Sequence, residues 1–474
     1  MKFISTRGQA SPASFVDACL SGLAPDGGLF VPETWPRIEP AGPNETYVDV
    51  AVRVLAAFAE DELDEATLRG ICERAYASFA HQSVAPLVQW GPNAFLMELH
   101  HGPTLAFKDV AMQLIAQFFD TVLSRRGERM SVTCATSGDT GGAAAAAFAG
   151  ASNVDLFILH PFERISPVQR LFMTTTGASN VHNIAIDEDF DACQAIVKAL
   201  FADRDFVVRS GLSGVNSINW ARIAAQAVYY ATAQAALGTD RPLRIVVPSG
   251  NMGDALAGYV AARCGLLHGF EAVCAVNEND ALRVLLGEGR MARASAVSTP
   301  SPAMDISIPS NFERIAFEAS GRDADLIRQI YNQFAQGGDV DLPEKIKGPL
   351  ACTGLSAKRV SNTNTLEEMK RVHDETGWLI CPHTAVGTSV ARSLPESDAM
   401  TVVLATAHAA KFPETVEKVL GFLSINTRLQ IQFVVADLNE TNHETTTMRG
   451  IDTLVGLIGL SHRHSNLYVS VLFI

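Results

Sequence analysis

From about residue 90 to 420 the chain repeats one pattern: a short apolar run, a glycine-bearing loop, then a helical stretch. No other feature limits its fold as strongly. Residues 131–135 read as a strand. Thr136-Ser137-Gly138-Asp139-Thr140-Gly141-Gly142 follows, and then a helix over 143–149. Residues 154–159 form another apolar run. Residues 243–247 form a strand whose loop and helix run on to Cys264, and 402–405 form a late one. Strands alternating with helices predict an α/β fold with parallel twisted sheets covered by helices. Residues 1–85 differ, with Pro-rich turns and two helical stretches, 17–23 and 47–76. The second carries Val50, Val54, Leu55 and Phe58 at helical spacing. Residues 333–348, rich in Gly, Asp and Lys, read as a surface excursion. The last fifty residues, from about Ser424, break the pattern: 441–449 are polar and 467–474 apolar. The expected division is a mainly helical N-terminal region over 1–85, an α/β region of two subdomains over 86–423, and an atypical tail over 424–474.

At 474 residues the chain can bury a large core. A net charge of -14, with no basic run interleaved with aromatics, argues against nucleic acid as a partner. No stretch is apolar for long enough to span a bilayer, and the N-terminus has no apolar segment behind its charge. The eight cysteines are scattered, mostly among apolar neighbours, and form no C-x-x-C pair. That usage fits a reducing compartment, so the expected location is cytoplasmic. No metal-ligand spacing occurs among the histidines and acids, so no metal is expected.

Chemistry enters with His100-His101-Gly102-Pro103-Thr104-Leu105-Ala106-Phe107-Lys108-Asp109. Val110, Met112, Leu114, Ile115, Phe118 and Phe119 predict a buried helix, with Thr104 as its N-cap. Lys108 then lies in a first turn, where the helix dipole disfavours an ammonium and burial does the same. A neutral amine in a dry pocket suits Schiff-base chemistry. A lysine there can equally bend out to water.

Two loops can hold negative charge. Pro248-Ser249-Gly250-Asn251-Met252-Gly253-Asp254 follows a strand and opens a helix, so its N–H groups point into one concavity suited to phosphate. It has neither Walker A nor G-x-G-x-x-G spacing. The loop of Ser137, Gly138, Asp139 and Thr140 adds hydroxyls to backbone donors and suits a carboxylate. Asn216, Ser217 and Asn219 offer neutral donors, and Arg222 a forked cation, for a substrate phosphate. A plain turn and a capped helix start with a surface arginine read equally well.

Six segments in order, "HGPTLAFKD", "ATSGDTGGAA", "DFDACQ", "GVNSINWAR", "PSGNMGDALAG" and "ATAHAAKFPE", together with the opening "MKFISTRGQA", resemble the threonine synthase family. The resemblance runs from Met1 to about Gly421 and implies the tryptophan-synthase β-like fold of enzymes that use pyridoxal 5'-phosphate. It implies that Lys108 bears the cofactor as a Schiff base. It further implies that Gly250, Asn251, Met252, Gly253 and Asp254 hold the cofactor phosphate, and that Thr406 faces the pyridine nitrogen. Ser137, Gly138, Asp139 and Thr140 would receive the substrate carboxylate, and Asn216, Ser217, Asn219 and Arg222 its phosphate. The implied reaction converts O-phospho-L-homoserine and water to L-threonine and phosphate, in a monomer or homodimer. Two departures stand out. His408-Ala409-Ala410-Lys411 has alanine where many relatives have proline, and the tail after about Leu423 does not follow the usual ending. A dehydratase-like lyase using the same cofactor, and a non-catalytic binder of a phosphorylated ligand, are the alternative readings.

Overall fold

The computed structural model describes residues 1–421 except Thr239, together with 446–448. Most of the 424–474 tail therefore lies outside the described residues. Two largely parallel sheets dominate, as the alternating pattern predicts. The larger runs in the order Leu355–Arg359, Glu271–Val276, Leu243–Pro248, Met400–Ala405, Ala94–Glu98, Leu87–Gly91. All its pairings are parallel except the last. The smaller runs Thr446–Met448, Val181–Ile186, Val154–Pro161, Met130–Ala135, Leu212–Gly214, parallel throughout. All eight residues of Val154–Pro161 and all six of Leu243–Pro248 are buried. Helices on both faces leave such strands no wet side, and hence no polar alternation in their sequence.

The N-terminal region is helical, as expected, and it adds a three-stranded antiparallel sheet of Lys2–Ser5, Ala13–Ser14 and Phe30–Pro32. The helical stretch read over 47–76 is two helices, Tyr47–Ala59 and Glu65–Tyr76. Glu60 turns into positive φ at the first helix's end, and Asp64 starts the second by accepting from the Thr67 amide at 2.8 Å. Periodicity cannot register such a break, because the apolar face resumes after it. The region is no separate globule. Phe3 and Phe58 pack edge-on against Trp220, with ring centroids 5.4 and 5.6 Å apart, and Phe15 stacks on Phe58. The 333–348 excursion is more ordered than the sequence suggested. Val340–Asp341 pairs with Arg290–Met291, and Val340, Leu342 and Ile346 are buried. Among the described residues no helix is long and apolar enough to cross a membrane. Cys352 is exposed and the other seven cysteines are buried and unpaired.

Candidate active site

The carboxyl ends of the parallel strands open on one crevice, the usual place for a ligand in a sheet of this kind. Ala94–Glu98 leads through a loop to the helix Lys108–Arg126. Met400–Ala405 leads to Thr406, and the two segments are stitched together. Phe107 N–H donates to Thr406 O at 2.8 Å, His408 N–H to Leu105 O at 3.0 Å, and Ala106 bridges Ala407. Lys108 is the first residue of its helix, as the sequence implied, but Thr104 is not the N-cap. Instead the Asp109 carboxylate folds back, accepting from Thr104 N–H at 2.8 Å and from its hydroxyl at 2.6 Å. This acid in the first turn fixes the loop that leads into the helix and favours the helix dipole.

The Lys108 amine points at the smaller sheet. Its Nζ lies 3.3 Å from Oδ2 of Asp139, the first residue of the helix Asp139–Phe148. Burial pulls the Lys108 pKa down, Asp139 opposes this, and the charges of Lys411 and Arg222 push the same way as burial. The net direction is downward, towards the neutral amine. Burial pushes the Asp139 carboxyl up, yet Lys411 and Lys108 together hold it well below the usual carboxylate range. The loop before Asp139 is fixed by Thr136, whose hydroxyl accepts from Gly138 and Gly141 N–H, both at 2.9 Å. Gly138 sits at φ 132°, and a Cβ there would come within 2.5 Å of Gln169. The first-turn amides of Asp139 and Thr140 have no partner within their own helix.

The second loop follows Leu243–Pro248. Met252 turns into left-handed φ at 61°, and the helix Gly253–Arg263 begins there. A Cβ on Gly250 would lie 2.8 Å from Ile306 and 3.1 Å from Ala303 O, so only glycine fits. Asn311 ties this loop to 216–219, since its Nδ2 donates to Asn251 O at 3.2 Å and to Ser217 O at 3.1 Å. Burial raises Asp254 to about 6 against hydrogen bonds from the Tyr229 and Tyr230 hydroxyls, and its Oδ2 is left without a partner. Burial lowers Arg222 to about 10; its Nη1 donates to Val215 O, while its Nε and the nearby Asn216 Oδ1 are buried and unpartnered. Buried polar groups usually find partners. The Arg222 Nε is a charged donor, and beside a helix N-terminus and a glycine turn it suits a bound phosphorylated group.

Lys108, Asp139, Arg222 and Asp254 thus lie within electrostatic reach of one another. Thr406 is buried on the segment stitched to Lys108. Asn219 is differently engaged. It caps the helix Trp220–Leu237 through Ala221 N–H, and its Nδ2 donates to Cys19 O at 2.8 Å and Gly214 O at 3.1 Å. With every polar atom committed to backbone, Asn219 shapes the loop and has nothing left for a ligand. Sequence reasoning gave no role to three buried groups beside the site. Lys411 contacts Asp139 at 2.8 Å. Gln169 donates to Asp139 at 3.1 Å. His383 accepts from Ala303 N–H at 3.2 Å, and burial lowers it to about 3. Lys411 lies in the "ATAHAAKFPE" segment between Ala410 and Phe412, and a lysine between apolar neighbours was a signal that could have been read.

Three family models match the chain in order. The model for the threonine synthase N terminus matches residues 2–76, that for pyridoxal-phosphate-dependent enzymes 84–406, and that for the threonine synthase C-terminal segment 384–453. The last extends past Gly421, where the motif-level resemblance stops. A threonine synthase of Pseudomonas aeruginosa is 43% identical over 424 residues, covering 88% of this chain and 90% of the relative. The solved structure of a PLP-bound threonine synthase from Brucella melitensis superposes with a TM-score of 0.90 at 44% identity, over 98% of this chain and 100% of the other. The yeast threonine synthase does so at 0.88 and 34%, over 98% of each.

Proposed function

This chain belongs to the threonine synthase family, and on that premise we propose that it converts O-phospho-L-homoserine and water to L-threonine and phosphate as a pyridoxal-phosphate-dependent carbon–oxygen lyase. The observation that carries the reading is Lys108. It is a buried amine at a helix start, with a lowered pKa, between two loops built for anions. When bound, pyridoxal phosphate supplies an aldehyde that condenses with an amine and a conjugated ring that accepts the electron pair left at a deprotonated carbon.

The chain's own residues do the rest. Lys108 Nζ anchors the cofactor. As a neutral amine it would serve as the base at the substrate Cα, and Asp139 Oδ2 would hold the resulting ammonium. Gly250, Asn251, Met252, Gly253 and Asp254 would hold the cofactor phosphate at the helix N-terminus, and Thr406 would offer the ring nitrogen a neutral hydroxyl. The backbone donors of Ser137, Gly138, Asp139 and Thr140 orient the α-carboxylate, while the Asp139 side chain serves lysine. Asn216, Ser217 and Arg222 orient the phosphate that leaves Cγ, and Asn219 keeps their loop in shape. Burial of these groups keeps water from the reacting carbon until it is needed at Cβ.

The deciding experiment follows inorganic phosphate released from O-phospho-L-homoserine, with keto-acid release from threonine in parallel. Phosphate and threonine in equal amounts are expected. Keto acid without phosphate would identify a dehydratase instead, and no turnover with bound ligand a mere binder. Borohydride reduction should leave the cofactor on Lys108.

A further inference from the structure

Lys411 has no part in the chemistry above, yet it is among the most buried charges in the molecule, 1% exposed. Its Nζ donates to Thr104 O at 2.9 Å and lies 2.8 Å from Asp139 Oδ1. The other oxygen of the same carboxylate faces Lys108 at 3.3 Å. Gln169 Nε2 donates to Asp139 Oδ1 at 3.1 Å, which fixes the carboxylate plane. One buried acid therefore faces two lysine amines. Burying each ion costs several kcal/mol unless it is well paired. A second lysine here needs a reason.

The reason lies in the balance of charge around Lys108. Facing Asp139 alone, Lys108 would be stabilised as an ammonium, the form that cannot attack an aldehyde or take a proton. With Lys411 on the same carboxylate, Asp139's charge is already matched, and the Lys411 charge itself opposes a second cation. The other groups facing this centre do not replace it. Arg222 also opposes protonation of Lys108. His383 is held neutral. Asp254 reaches Lys108 from the phosphate-loop helix, and Asp109 lies beside Lys411. Without Lys411 the balance at Lys108 would be Arg222 against Asp139 and Asp254.

We propose that Lys411 is a positioning residue that pins Asp139 and takes up its charge, so that Lys108 is available as a neutral amine. The proposal rests on Lys108 being the cofactor lysine.

The test uses cofactor-free protein mixed with pyridoxal 5'-phosphate across a pH series, reduced with borohydride, with the label on Lys108 quantified by mass spectrometry. For K411M the half-point of capture should move up by about one pH unit or more, which is about tenfold less neutral amine at a given pH. K411R should titrate like the parent chain. A purely structural role would lower the amount captured and leave the half-point in place, and that result overturns the proposal. Should K411M fail to fold, D139N decides: its half-point should move down, and an unmoved one overturns the proposal equally. Absence of label on Lys108 in the parent chain would remove the functional reading, and this inference with it. Label in the parent with unshifted variants would remove the inference alone.

Discussion

Lys108 and Asp254 are both buried, both sit in a helix's first turn, and are shifted towards their neutral forms for the same reason. For Lys108 the neutral form is the reactive one. Lys108→Ala should abolish phosphate release while far-UV circular dichroism stays unchanged; appreciable turnover in that variant would sink the mechanism. For Asp254 the consequence is a pH-dependent stability. Folding raises its carboxyl to about 6, whereas the unfolded chain has an ordinary aspartate near ~3.9. The folded state thus holds a proton that the unfolded state has lost. Stability should fall as pH rises from about 4 to about 6, and at pH 7 the ionised group should cost on the order of 3 kcal/mol. Asp254→Asn should flatten that slope and raise stability at pH 7, as read from denaturant midpoints of the cofactor-free protein. At this scale the sequence disclosed residue types but not partners. Lys108 was legible because helix-start position and apolar neighbours both bear on an amine. The Asp139 side chain was not, because only the fold brings Lys411, 272 positions away, against it.

Among the elements, caps and breaks decide where site residues land. Asn219 was legible as a helix start but read as a ligand contact too, since an amide in a loop has the same appearance either way. Its three backbone partners settle the matter in favour of capping. Asn219→Ala should lower stability by about 2 kcal/mol, combining a lost cap with two buried carbonyls left unmet, and should leave KM for the phosphorylated substrate unchanged. A raised KM at unchanged stability would return Asn219 to the substrate contacts. The helix at Lys108 shows why boundaries are hard to read. A threonine after Gly-Pro looks like a cap, but its hydroxyl donates to the carboxylate five residues on, and the helix begins only at Lys108. The strands were the easiest to read, since those buried on both faces are written as unbroken apolar runs.

For the whole molecule, the N-terminal region is part of the site's foundations. Arg314, wholly buried, donates to Phe30 O, Ile218 O and Asn311 Oδ1, so it joins the first sheet to the 216–219 loop and, through Asn311, to the phosphate loop. Arg7 and Thr6 both reach Glu313 next door. A chain lacking residues 1–76 should therefore lose its cooperative calorimetric transition, whereas a separable domain would keep one for the remainder. The parallel sheets and their crevice were predictable from alternation. This stapling was not, because single polar contacts across some 300 positions leave no periodic trace. The two lysines that hold Asp139 belong to stitched segments that follow strands of the larger sheet, while Asp139 opens the helix that follows a strand of the smaller one. That single carboxylate is consequently a latch across the crevice. Its two oxygens are shared between a lysine that opens one helix and a lysine that follows a different strand, so one acidic side chain holds three separate segments of the chain in register.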